Sequence, residues 1–532
     1  MYLYNIDIVG FRGINRLSMQ LRPEMVLIGE NAWGKSSLLS ALSLIFNPNK
    51  SLYQFTPDDF HLEYQADQDE TRQHRHITLL FRFCEKYQGE LEQQNTPLYQ
   101  QVMVSHQPDQ PKHIYLRVTG DWLENDNIIT DYSFLDPQGE TLQPLSKEKL
   151  VYSLISQHPV YRFRDAQLQQ DFHQLSPLLL DQPRQPEQEK IQEEIRAVAL
   201  LLRYYFLQQD QYRQLIHQLK DTSLLWQKAQ SLTQKLQQPN SDHLKKRLFQ
   251  ALSSLFIQHK NIHFNKNTRP IILFEDLGAN LHPRMMAIAW CLAQSLPIQR
   301  ITTTNSVELL AQVELFSICR LVRYQSDTQA YQLTHHHINK EDLRRLNFHV
   351  HYNRSLALFA RMWILVEGET EVWILSELAK LLDIHLDIYG IRLVEFAQSG
   401  LKPLIKYAKA MGIQWYVLTD GDDAGLKYAE IVKNMLPEYE NASQRLTVLP
   451  QKDIEHFFYT QGFSQIFIRL ARWQPHKNYY PTSKIIQRAI QRSSKPDLAL
   501  ALCAEMRKQG KNAIPSLFRH LFRKVLALTK EN

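Results

Sequence analysis

The period of apolar and polar positions changes several times along the chain, and each change marks a predicted element. Short apolar runs at Ile6–Phe11 and Met25–Ile28 read as strands, and apolar spacing of three and four from Ser36 to about Phe46 predicts a helix. Residues 60–160 carry brief strand-like runs, Ile77–Phe83 and Ile114–Val118, between polar loops. From roughly 181 to 260 the chain turns rich in Gln and Leu, as in "IQEEIRAVALLLRYYFLQQDQYRQLIHQL", which predicts amphipathic helices with too few heptads for an extended coiled coil. Strands are expected again at Ile271–Phe274 and Arg300–Thr302.

After a connecting region near 325–360 the pattern becomes a strict alternation. Strand Trp363–Val366 precedes a helix over 370–382, strand Arg392–Phe396 a helix over 402–410, and strand Trp415–Thr419 a helix over 424–435. That order predicts a small parallel α/β domain. The expected division is therefore an α/β first domain over 1–350 with a helical insertion at about 181–260, a second α/β domain over 351–460, and a mainly helical part over 461–532. A chain of 532 residues agrees, because one core rarely serves so many.

Charge alters the picture at the C-terminal end. Residues 461–532 hold 14 Lys/Arg and 3 Asp/Glu, a local +11, so the net +6 of the chain leaves 6 − 11 = −5 for everything before. A basic segment that follows acidic motifs suggests a polyanion held near them, although a solvated helical face is the commoner cause of a charge run. No apolar stretch approaches the roughly 20 residues of a membrane span, and the N-terminus lacks the pattern of a signal peptide. A cytoplasmic protein without membrane contact is expected. The four cysteines, Cys84, Cys291, Cys319 and Cys503, lack metal-type spacing and argue against a zinc module.

Candidate chemistry starts at "GENAWGKSS", residues 29–37, which satisfies G-x4-G-K-[ST] through Gly29, Gly34, Lys35 and Ser36. It lies between a predicted strand and a predicted helix, where backbone N–H groups and the helix N-terminus can hold phosphates. Lys35 is expected on the β/γ-phosphates and Ser36 on Mg²⁺, with Asn31 and Ser37 as further nucleotide contacts. Glu275 and Asp276 end the strand Ile271–Phe274, one placed to hold Mg²⁺ and the other to polarise the attacking water. An N-terminal P-loop, a long insertion and then an acidic strand end resembles the ABC-type ATPases of the SMC and Rad50 kind, and "LGANLHP" (277–283) is similar to their D-loop. Two departures predict slow hydrolysis with binding retained. No Ser-Gly-Gly signature precedes Glu275, and Asn305 stands where that class usually has a histidine.

The second domain carries crowded acids. In "VLTDGDDAGLKYA" (417–429) a strand delivers Asp420, Asp422 and Asp423, and in "ILVEGETEVWIL" (364–375) another delivers Glu367, then Gly368 for a tight turn and Glu371 on a first helical turn. A lone Asp-Gly-Asp is most often a solvated turn, and acids such as Glu369 or Asp423 can simply complement a helix dipole. Paired acidic strand tips call for a cation instead, because carboxylates that close repel one another.

Glu at one tip and Asp-x-Asp at another some fifty residues on is the Toprim pattern. With the ATPase motifs, and with "FRGINRL", "GENAWGKSSLL", "LVEGETEVWI", "EFAQSGLKPL" and "SSKPDLA", the chain resembles the OLD (overcoming lysogenization defect) family of ATP-dependent nucleases in its YbjD-like branch. The resemblance implies Glu367, Glu371, Asp420 and Asp422 as metal ligands, Glu455 of "KDIEHFF" as a further one, and Lys495 as a catalytic lysine. It implies ATP and Mg²⁺ (or Mn²⁺) as cofactors and DNA as substrate for a metal-dependent endonuclease. A topoisomerase or primase would share the Toprim fold, and a non-cleaving DNA-binding or sensing ATPase is the alternative from another class. "SKIIQRAIQRSSKPD" sets Lys484, Arg488, Arg492 and Lys495 four, four and three apart, along one helical face until Pro496, as a cationic stripe for DNA phosphates. A homodimer is expected, because ABC-type ATPases work as pairs and the helices at 190–260 present an apolar face.

Overall fold

The computed structural model describes residues 1–47, 51–65, 70–90, 99–105, 110–163, 186–206, 222–256, 268–276, 281–325, 327–336, 338–352, 354–473 and 482–530. They form two compact units, Met1–Ala330 and Tyr331–Asn532.

The first unit opens with β1 (Tyr2–Phe11), β2 (Ile14–Gln20), β3 (Glu24–Ile28) and α1 (Lys35–Ile45). Strands β4 (Leu62–Gln65), β5 (Glu70–Gln73), β6 (His76–Cys84), β7 (His113–Trp122), β8 (Ile128–Leu135) and β9 (Thr141–Leu142) follow, then α2 (Lys147–Gln157) and β10 (Val160–Arg162). The helical stretch contains α3 (Pro186–Phe206), α4 (Ser223–Leu236) and α5 (Asp242–Phe256). The unit continues with β11 (Ile271–Phe274), α6 (Pro283–Gln294), β12 (Gln299–Thr303), α7 (Val307–Leu310), β13 (Ile318–Tyr324) and β14 (Asp327–Gln332).

Two sheets of six strands organise these elements, in the orders β2-β1-β6-β7-β8-β9 and β10-β11-β12-β3-β13-β14. The first is antiparallel and its strands alternate buried with half-buried positions, as in Ile77, Leu79, Phe81 and Phe83 of β6. In the second, β10, β11, β12, β3 and β13 are parallel, and β11 and β12 are buried at every position, β11 with apolar side chains throughout and β12 with Gln299, Arg300, Thr302 and Thr303 among its buried residues. Parallel pairing sends the ends of β3 and β11 to the same edge. That edge unites motifs more than 240 positions apart in the chain.

The apolar stripes of α3, α4 and α5 cover one another and α6, through Ile195, Val198, Leu201, Trp226, Leu232, Leu248, Leu252, Ile288 and Leu292. These buried apolar residues are covered from within the chain, while Leu200 and Leu224 of the same helices stay exposed. Part of the expected insertion, including 207–221 and 257–267, lies outside the described residues, as do 277–280 of the "LGANLHP" motif.

The second unit begins with α8 (Lys340–Leu346), β15 (Met362–Val366), α9 (Glu369–Leu381), β16 (Ile391–Glu395), α10 (Leu401–Ala410), β17 (Gln414–Thr419), α11 (Asp423–Met435), α12 (Ala442–Arg445) and β18 (Leu446–Val448). Helices α13 (Ile454–Phe458), α14 (Ser464–Leu470), α15 (Thr482–Arg492), α16 (Lys495–Gln509) and α17 (Ser516–Lys530) complete it. The sheet is four-stranded and wholly parallel, ordered β16-β15-β17-β18. Its core joins Ile364, Val366, Tyr416 and Leu418 of the strands to Phe457, Ile486, Leu502, Phe518 and Phe522 of the C-terminal helices. The basic C-terminal part therefore belongs to the same body as the sheet.

Candidate functional site

At the carboxyl edge of the large parallel sheet, the loop after β3 turns into α1 through Gly34, whose φ of 91° is left-handed. A Cβ there would lie 2.8 Å from Ile14 Cγ1, so glycine alone suits both the angle and the space. Lys35 is buried and folds back to donate to the Gly29 carbonyl and, at 3.1 Å, to that of Glu30. Burial lowers its pKa, and the charges of Asp276 and Glu30 oppose that fall. Ser36 Oγ donates to Glu275 Oε1 at 3.4 Å, which connects the loop to the tip of β11.

Asp276 stands beside Glu275 in a left-handed conformation, φ 50°, which aspartate tolerates better than most residues. Its N–H donates to Thr303 Oγ1 at 3.3 Å. Ser37 Oγ accepts from the Gly13 N–H of the β1–β2 turn at 3.1 Å, so it serves the fold of the loop. Arg323 fastens the same two segments, donating to Ala32 O and Gly13 O. Asn305 is exposed just past β12, and Asn31 is exposed within the loop. Sequence patterns missed Arg162, which ends β10 and donates to Glu275 Oε2 through Nε at 3.1 Å and Nη2 at 2.8 Å. A single arginine after two strand residues gives no periodic signal, and only the pairing of β10 with β11 reveals it.

The second edge belongs to the smaller sheet. Glu367 follows β15 and Asp420 follows β17, its paired neighbour. Glu371 is buried on the first turn of α9, and Asp422 is the N-cap of α11, accepting from Gly425 N–H at 2.8 Å. Glu455 is buried on α13, whose N-cap is Asp453. The tips are packed tightly: a Cβ on Gly421 would meet the Gln451 and Leu449 carbonyls at 2.4 and 2.5 Å, and one on Gly425 the Asp420 carbonyl at 2.0 Å. Gly368 departs from expectation. It is extended rather than turned, and its N–H donates to Glu371 Oε2 at 3.1 Å as part of the helix cap.

Electrostatics tie these acids together. Burial, then Glu371, Glu367, Asp453 and Glu455, push the Asp420 pKa up to about 8. Burial, Asp422 and Glu371 also raise that of Glu367, whose Oε2 is buried without a hydrogen-bond partner. All the donors are oxygen, as a hard divalent cation prefers, and an orphaned carboxylate oxygen suits such an ion. Among the described residues, however, no three His, Cys, Asp or Glu side chains lie close enough together to hold one metal ion. Asp422 and Glu371 each spend an oxygen on a helix N-terminus, and Asp453 accepts from both the N–H and Nδ1 of His456. Asp453 and His456 lie in the same "KDIEHFF" segment as Glu455.

The cationic stripe is corrected by the fold. Helix α15 stops at Arg492, and Ser494 caps a new helix, α16, with Asp497 completing the cap, so Lys495 opens a helix instead of ending one. Pro496 occupies the first turn, where its missing N–H costs nothing. Lys484 is exposed, Arg488 packs 5.3 Å over the Trp473 ring, and Arg492 donates to Ala471 O at 3.3 Å. The Lys495 side chain lies outside the described residues.

Two family descriptions match the chain: "Protein of unknown function (DUF2813)" over residues 1–357 and "Overcoming lysogenization defect protein-like, TOPRIM domain" over 358–422. A relative from Escherichia coli (strain K12), "Uncharacterized protein YbjD", is 38% identical across 100% of this chain and 99% of its own. The chain belongs to the OLD family, in its YbjD-like branch. Among solved structures it is similar to the C-terminal region of the Burkholderia pseudomallei OLD protein, at 20% identity over 32% of this chain and 98% of that one, TM-score 0.26. It is also similar to the SMC head domain from Thermotoga maritima, at 10% identity over 63% and 100%, TM-score 0.30. As an OLD-family protein it carries a Toprim domain, whose match spans Glu367, Glu371, Asp420 and Asp422 while Glu455 and Lys495 lie beyond it. No described helix is long and apolar enough to cross a membrane.

Proposed function

We propose that this OLD-family chain is an ATP-binding, divalent-metal-dependent DNA endonuclease. The observation that carries the reading is the Asp420 carboxyl, raised to about 8 by burial and four neighbouring acids at one sheet edge. Such mutual repulsion is costly unless a cation is to be held, and perturbed acids of this kind concentrate at functional sites. Glu367, Glu371, Asp420, Asp422 and Glu455 would hold Mg²⁺ or Mn²⁺. Bound there, the ions would supply Lewis acidity to a phosphodiester and make water a stronger nucleophile. Asp420 retains a proton near neutral pH until that charge arrives, Glu367 offers its unpartnered Oε2, and exposed Lys484 attracts phosphate. Lys35, Ser36 and Glu275 would bind Mg·ATP at the other site, with Asp276 beside the reacting phosphate.

The use of Asp422 and Glu371 as helix caps favours a second reading, a DNA-binding or sensing ATPase whose acidic site is structural. Supercoiled plasmid incubated with Mg²⁺ or Mn²⁺, with and without ATP, separates the two. Relaxed or linear product that disappears with Asp420→Ala supports the endonuclease; intact plasmid under every condition, despite measurable DNA binding, supports the sensor.

A further inference from the structure

Both oxygens of the Glu275 carboxylate are engaged, and by different parts of the chain. Oε1 accepts from Ser36, the hydroxyl that follows the P-loop lysine, and Oε2 accepts twice from Arg162. The same guanidinium donates its third bond, from Nη1, to Ser40 Oγ at 3.1 Å, one turn further along α1. Arg162 is 15% exposed and Glu275 5%, so the pair is shielded from water and its attraction is little screened. Its placement is rigid. Arg162 pairs with Leu273 across the β10–β11 ladder, the next residue donates from Phe163 N to Leu273 O at 2.9 Å, and the Phe163 ring stacks on Phe274 at 4.8 Å.

A guanidinium on a carboxylate beside the P-loop hydroxyl supplies the positive charge that a divalent ion would otherwise bring. We propose that Arg162 is a resident counter-ion of the nucleotide site: from Oε2 it neutralises Glu275 when Mg²⁺ is absent, and it leaves Oε1, the oxygen beside Ser36, to Mg²⁺ when the metal enters with the nucleotide. This inference rests on the nucleotide-binding reading and deepens it. Glu275 is then compensated in both states of the site, by arginine alone without metal and by arginine and metal together with it. Nucleotide phosphates, themselves anionic, therefore meet a compensated Glu275 in either state, and the cost of metal-free binding is reduced. Removing Arg162 takes its positive charge away from Glu275, a loss that matters most when Mg²⁺ is absent.

The test uses the full chain and a fluorescent N-methylanthraniloyl-ATP probe, titrated in EDTA and in excess Mg²⁺. In wild type the two affinities should agree within about tenfold. Arg162→Gln should weaken binding in EDTA by a further tenfold or more while changing the Mg²⁺ affinity less than threefold. Arg162→Lys, which keeps the charge, should retain most of the EDTA affinity. The double variant Arg162→Gln/Glu275→Gln, which removes both charges, should recover it. Should Arg162→Gln fail to fold by circular dichroism, the lysine and double variants still decide. An equal loss in EDTA and Mg²⁺, or no change in either, would overturn the proposal and leave Arg162 as a packing residue. Wild-type protein that binds no probe under either condition would instead sink the nucleotide reading, and this inference with it.

Discussion

Asp420 and Glu367 stand at the tips of adjacent parallel strands, and the charge of Glu367 helps hold the Asp420 proton near neutral pH. Neither residue could do this to the other from its place in the chain alone. Their proximity makes the Toprim edge both a candidate cation site and a source of instability, since the same repulsion that invites metal opposes folding without it.

A pH dependence follows with a definite sign. The Asp420 pKa rises from the ordinary 3.8 to about 8 on folding, so the folded state binds the extra proton between those values. Stability is full below pH 4 and is lost as pH climbs through 8. In EDTA, Asp420→Asn should therefore raise the melting temperature at pH 8 by roughly 3–6 °C, the shift expected of 1–2 kcal/mol in a unit of this size, and change it little at pH 4. Equal melting curves at both pH values would show that the acids do not feel one another.

Cleavage should be abolished by Asp420→Ala and by Glu367→Ala, with circular dichroism unchanged. Removing one of several mutually repelling carboxylates costs little in packing, while the cation loses a ligand. Nicking of plasmid at the wild-type rate by a clean Asp420→Ala preparation would reduce the Asp-Gly-Asp segment to a turn.

Lys35→Ala should weaken ATP binding by about a hundredfold or more, in line with the loss of a buried charge-assisted contact, and leave Mn²⁺ affinity at the acidic site intact. Isothermal titration with each ligand checks both arms. Wild-type hydrolysis should be slow, on the order of 10⁻⁴ to 10⁻² per second as for phosphoryl transfer without a partner's catalytic group, because no Ser-Gly-Gly signature precedes Glu275 and Asn305 stands after β12. Turnover of many per second would contradict this.

Lys484 and Lys495 should separate binding from chemistry. Lys484→Ala should lower the slope of log affinity against log salt by about 1, the loss of one phosphate contact. Lys495→Ala should eliminate cleavage with less than a threefold change in DNA affinity. Arg488→Ala will lose stability as well, since its guanidinium covers Trp473. Uniform, mild effects at all three would make Lys495 another phosphate contact.

Light scattering at micromolar concentration, with and without ATP, should report a dimer. The helices around the buried Trp226 and Leu232 keep Leu200 and Leu224 exposed as apolar contacts for a second copy. A monomer under both conditions would end the expectation.

Local patterns determined a good deal by themselves. The strands Met25–Ile28, Ile271–Phe274 and Trp415–Thr419 were legible because a parallel strand covered on both faces tends to a near-continuous apolar run, and the P-loop was legible because its glycines, lysine and serine act within nine residues. The acids Glu367 and Asp420 were legible as strand tips for the same reason. Tertiary structure alone decided what those tips face. Arg162 lies on Glu275, 113 positions away in sequence, because β10 pairs with β11, a contact set by sheet order rather than by any local period. It also decided that Gly368 caps a helix and that Lys495 begins one, because a cap depends on which side chain reaches the first free N–H groups, and composition does not specify that geometry.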